Sequence, residues 1–133
     1  MINLKSGVGQ ENLRAAFYRF VDQWLHRSIE ATGIVIVART AGDGYDVLYQ
    51  SRWSARSTWP VAFAAQVAGS VIIDGFAAEP LRSGGRHVGG LLVARPNAEY
   101  DAKQLAQIRD AAEIAAAIVA ALPATPGDQR QEV

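Results

Sequence analysis

The 133-residue chain has no cysteine and a single methionine. Without cysteine there is no disulfide framework, no thiolate zinc or iron–sulfur site, and no cysteine nucleophile. It also lacks an excess of charge of either sign: 13 basic and 13 acidic side chains cancel. No global field therefore draws in nucleic acid or an anionic membrane. No apolar run approaches the ~20 residues that span a bilayer. The start, MINLKSGVGQ, has no hydrophobic signal core, and no internal repeat is present. These absences lead us to expect a soluble, cytoplasmic domain that binds neither nucleic acid nor membrane.

What is present suits a single folded unit. Half the residues are hydrophobic, and the length falls within the ~50–250 residues of ordinary domains. Residues 1–9 and 123–133 lack apolar spacing and read as mobile tails around one domain, 10–122. From Gln10 to Ala31, Leu13, Phe17, Phe20 and Trp24 recur at helical steps. Ala16, Val21, Leu25 and Ile29 widen that stripe, and Gly33 is the expected left-handed cap. Residues 34–39 and 45–50 read as a hairpin across a Gly-Asp-Gly turn. Ile34 and Ile36 alternate with Val35 and Val37, and a strand apolar on both faces is usually covered on both.

Residues 51–58 are loop-like. Trp59 to Ala68 reads as a short helix with Pro60 in its first turn, and residues 71–73 as a short edge strand. A second hairpin turns at Ser83-Gly84-Gly85-Arg86, with Pro80 suggesting an edge position or a strand start. The last helix carries the strongest local signals. Asp101 and Gln104 form a capping box, with Tyr100 and Leu105 as the hydrophobic staple. One seam runs through Leu105, Ile108, Ala112, Ala115, Val119 and Leu122; a second runs through Ala111, Ile114, Ile118 and Ala121. Two seams either admit a partner's backbone against the small alanines or let the helix pack broadly within its own domain.

The order helix, hairpin, short helix, hairpin, long helix resembles the GAF domain family. The local match is residues 77–122: Pro80-Leu81, the Gly84-Gly85 turn, Val88-Gly89-Gly90-Leu91-Leu92-Val93, then Tyr100 before the Asp101-capped helix. A PAS or other profilin-like sheet is the neighbouring alternative. The resemblance implies an α+β, three-layer sandwich, with a central antiparallel sheet and both terminal helices on one face. It further implies a regulatory module with a small-molecule cavity under residues 51–76. Trp53, Trp59, Phe63 and Phe76 would supply its apolar walls and Arg56 a charged anchor. The family's bilin-attachment and methionine-sulfoxide-reductase chemistries need cysteine and cannot transfer.

For the terminal helices we expect a homodimer seam built from Leu13, Phe17, Phe20, Trp24, Ala112, Ala115, Ala116 and Val119. A ligand-free dimerisation or protein-interaction module, including a signalling partner, is the alternative. No cofactor or metal is expected, because His26 and His87 share no ligand spacing. SRWSARSTW interleaves Arg52 and Arg56 with tryptophans, but it is too short in a neutral chain to indicate nucleic acid. Asp74 and Glu79 are the sole acidic residues near the second hairpin. Nothing in their spacing forms an acid–base pair, and no serine sits in a nucleophile elbow, so an enzyme is not expected.

Overall fold

The structure is a computed structural model that describes residues 6–40, 44–52, 59–73 and 75–121. Helix α1, Ser6–Ile29, begins inside the expected tail. It ends at Glu30, whose φ of 61° is left-handed. Glu30 N–H donates to His26 O (3.1 Å) and Ala31 N–H to Leu25 O (3.3 Å), so the cap falls three residues before the expected Gly33. His26 Nδ1–H donates to Ala31 O at 3.0 Å and ties down the same turn, a structural role for this histidine. Gly33 instead opens β1, Gly33–Arg39. A Cβ there would lie 2.8 Å from Arg52 O and 3.0 Å from Ser51 O, so the glycine is needed because the end of the neighbouring strand passes against it.

That neighbour is β2, Tyr45–Ser51. It pairs antiparallel with β1, and a bulge between Ile36 and Val37 lets Tyr49 and Val47 face consecutive β1 residues. After α2, Trp59–Gln66, come β3, Val71–Ile73, β4, Phe76–Ser83, and β5, Arg86–Ala94. The sheet order is β2-β1-β5-β4-β3, with every pair antiparallel. Pro80 lies beyond the last β3 pair, Val71↔Ala78, where β4 has a neighbour on one side alone. Its missing N–H therefore leaves no gap in an interior ladder.

One turn of 3-10 helix, Pro96–Ala98, leads to α3, Ala102–Ala121. The capping box forms reciprocally. Gln104 N–H donates to Asp101 Oδ1 (2.8 Å), and Asp101 N–H donates to Gln104 Oε1 (2.9 Å).

The alternation in β1 divides the interior into two cores. Ile34 and Ile36 pack with Leu81, Leu91 and Val93 against Val21, Leu25 and Ile29 of α1 and Ile108, Ala111 and Ala115 of α3. Val35 and Val37 face the other way, with Leu92 and Ala78, against Val61, Ala64, Ala65 and Val67 at and just after α2. The result is the expected three-layer α+β sandwich: α1 and α3 behind the sheet, α2 in front. Each layer is held by apolar area removed from water, about 25 cal/mol per Å².

Candidate functional site

The α2 face is where a ligand was expected, and its geometry is tight. A Cβ on Gly90 would fall 1.9 Å from Ala64 O and 2.6 Å from Ala64 C. The α2 backbone thus rests directly on β5 at this point. Trp53 and Arg56 lie outside the described residues, as does the side chain of Trp59, whose backbone opens α2. Phe63 is 44 % exposed, because on an eight-residue helix pressed to the sheet Val61, Ala64 and Ala65 already fill the inward side. Phe76 packs, partly buried, against this second core. Of the two expected ligand residues whose side chains are described, Phe76 thus lies at the α2 core and Phe63 at the surface.

On the opposite face the expected dimer residues separate into three groups. Leu13, Phe17 and Phe20 are 47 %, 41 % and 59 % exposed. Trp24 and Val119 are partly buried against the main core. Ala112, Ala115 and Ala116 are enclosed by the chain's own sheet and helices. This corrects the third group: the small α3 residues bring that helix close to its own domain and offer no outer surface. Between Ile108 and Ile118 the two expected α3 seams merge into one inward face; Ile114 and Ala121 are exposed, and Leu122 lies outside the described residues.

A polar cluster that the sequence reading did not identify joins α1 to the end of β2. Asp22 is 2 % exposed. Its Oδ1 accepts from Arg52 Nη2 at 2.9 Å, forming an ion pair, and its Oδ2 accepts from Tyr49 Oη at 2.9 Å. Arg52 Nε also donates to Thr32 O (3.2 Å), and Nη1 to Ser51 Oγ (2.9 Å). Burial, then the hydrogen bond to Asp22 and its negative charge, hold the Tyr49 phenol above its usual range. Arg52 takes a φ of 52°, so this network fixes a left-handed turn where β2 ends. The available signal was Asp22's place between Val21 and Leu25 on the inward stripe, because a buried carboxylate calls for a counter-charge.

Glu79 is also buried, at 4 % exposure. It alternates with Ala78 and so faces α3. Burial raises its pKa, while the Ser70 hydroxyl bond and the Arg109 charge pull it back. Asp74, its expected neighbour, is outside the described residues. Among the described residues no three His, Asp or Glu side chains gather as metal ligands, and no helix is long and apolar enough to cross a membrane.

Tyr18 packs 6.2 Å from Tyr49, ring to ring, and its buried hydroxyl has no hydrogen-bond partner. Burial pushes its phenol up to about 12 from 10.0, against a smaller downward pull from Arg14. The unfolded chain loses this proton at the lower pH. Stability is therefore complete below pH 10 and declines as pH rises toward 12, by about 2–3 kcal/mol for this group. Tyr49 and Tyr100 shift in the same direction. Tyr18→Phe is expected to remove part of the alkaline decline. At neutral pH it should leave stability equal or raise it by about 1 kcal/mol, since no orphan hydroxyl remains. Urea melts of both proteins at neutral and alkaline pH measure this, and an unchanged alkaline slope in the variant contradicts it.

No protein-family model matches the sequence, and no curated protein does. The fold is similar to "The crystal structure of the GAF domain/HD domain protein from Geobacter sulfurreducens", with a TM-score of 0.67 at 12 % sequence identity, covering 89 % of this chain and 98 % of that one. Together with the β2-β1-β5-β4-β3 sheet and the layering of its helices, this shows that the chain has a GAF-like fold.

Proposed function

We propose that the chain is a non-catalytic, GAF-like regulatory module that binds a small molecule on the α2 side and relays the event through a homodimer formed by α1. The observation that carries this reading is the second apolar stripe of α1. Leu13, Phe17 and Phe20 stand exposed at steps of four and three. They lie roughly a third of a turn from the core-facing Val21, Leu25 and Ile29, taking 3.6 residues per turn. Trp24 continues the stripe to the domain edge. An exposed stripe at this spacing suits a helix-to-helix seam.

The Asp22–Arg52 pair supports the relay. Arg52 is the last described residue before the segment expected to cover a ligand, and Asp22 belongs to α1. A ligand that moves that segment would bias α1 by population shift through this contact. The neighbour's name, a GAF domain/HD domain protein, puts such a domain beside a second domain in that protein.

A ligand-free dimerisation or protein-interaction role is the second reading, favoured by the direct seating of α2 on Gly90. Light scattering at high micromolar concentration, paired with a thermal-shift screen of metabolites, separates the two. A dimer stabilised by at least one compound class supports the sensor. A dimer that no compound stabilises supports the second reading. A particle of monomer mass across the range defeats the α1 seam in both.

A further inference from the structure

We infer that Arg39, His87 and Arg82 form a binding site for the phosphate or carboxylate group of a small molecule at the hairpin end of the sheet, on the α2 side. The three residues come from three adjacent strands. Arg82 of β4 is the register partner of His87 of β5, so both side chains leave the same face. Arg82 Nη2 donates to Ala68 O just after α2, which identifies that face. Arg39, the last residue of β1, donates from Nη1 to His87 Nδ1 at 3.2 Å. It continues the Val35, Val37 alternation toward α2. His87 Nε2–H donates to Gly89 O at 2.9 Å, which defines one neutral tautomer with Nδ1 as acceptor.

The row is built for an anion in three respects. First, among the described residues each guanidinium has one N–H on a tether, which leaves its other donors for a fork-shaped contact. The tethers hold the two side chains in place before a ligand arrives, which lowers the ordering cost of binding. Second, no ion pair joins Arg39 or Arg82 to a carboxylate among the described residues. Third, burial together with the Arg39 and Arg82 charges holds His87 below its usual pKa, against the opposing Gly89 carbonyl. Positive charge is thus already concentrated at this point. Neighbouring strands lie about 4.8 Å apart, so β1 and β4 flank β5 at roughly 10 Å. That span fits one phosphate or carboxylate group. A polyanion would need a longer basic track than a net-neutral chain offers.

The site uses no residue of α1 and none of residues 53–58, so it stands independently of the proposed sensor role. Histidine ring resonances provide the test, because the chain has two histidines and His26, capping α1, serves as an internal control. The full chain is titrated with inorganic phosphate and with acetate, each against sodium chloride at matched ionic strength. The expected result is a saturable shift of the His87 ring with phosphate or acetate, absent with chloride, while His26 stays still. Arg39→Gln and Arg82→Gln should each weaken that affinity about tenfold or more, with melting temperatures unchanged because both side chains are exposed. An equal response to chloride, equal movement of both histidines, or undiminished affinity in the two variants would overturn the assignment.

Discussion

Gly90→Ala is expected to lower the urea midpoint of the protein far below that of the parent. The added methyl would occupy a point 1.9 Å from Ala64 O and 2.6 Å from Ala64 C. These are backbone atoms and cannot rotate aside as a side-chain tip would. To admit the methyl, α2 must lift off β5 and draw Val61, Ala64, Ala65 and Val67 away from Val35, Val37 and Leu92. Overpacking typically costs about 1–3 kcal/mol and occasionally more. The backbone obstacle puts this variant at or above about 3 kcal/mol, a large share of the 5–15 kcal/mol typical of a domain. Gly69→Ala is the matched control, since a Cβ there meets nothing within 4 Å. Urea midpoints by circular dichroism decide the matter. A parental midpoint for Gly90→Ala would mean that α2 is not seated on the sheet.

The second large effect concerns the interface. Ala115→Arg is expected to unfold the monomer. Ala115 is 0 % exposed and lies among Ile108, Ala111, Leu81 and Leu91. An arginine there would bring both excess volume and an unpaired charge into an apolar core, a penalty of several kcal/mol. Phe20→Arg, on the outer stripe of α1, is expected to do the opposite. It should leave the melting temperature of the monomer within a few degrees of the parent and abolish the proposed dimer. Circular dichroism and light scattering on the two variants read both outcomes. If Ala115→Arg folded normally as a monomer, the placement of α3 would be wrong. If Phe20→Arg left a dimer intact, the seam would lie elsewhere.

These two variants mark where sequence periodicity ran out. On α1 the steps of Leu13, Phe17, Phe20 and Trp24 are as regular as those of Val21, Leu25 and Ile29. Periodicity finds apolar faces but does not say which one meets the sheet. The buried face turned out to be the one containing Tyr18 and Asp22. Asp22 was legible only as an irregularity, a charge on an inward position, because its partners Tyr49 and Arg52 lie 27 and 30 residues away. On α3 both seams were real, but alanine occurs equally in a close helix-to-sheet contact and in a helix-to-helix seam. The helix end at Glu30 was missed because glycine is the usual left-handed residue, whereas Gly33 served a close approach by β2 instead.

The anion row was illegible for a similar reason. Arg39, Arg82 and His87 are scattered along the chain and become neighbours through the β1–β5 and β4–β5 pairings alone. By contrast, the reciprocal Asp101–Gln104 cap, the two hairpins and the doubly covered β1 depend on residues close in sequence or on strict alternation, and these the amino-acid order determined by itself. Local hydrogen bonding and side-chain period act over a few residues, so they can be read from a string. Which of two apolar helix faces turns inward, which strands become neighbours, and which charges converge depend on packing the whole molecule at once. Only the tertiary structure decided them.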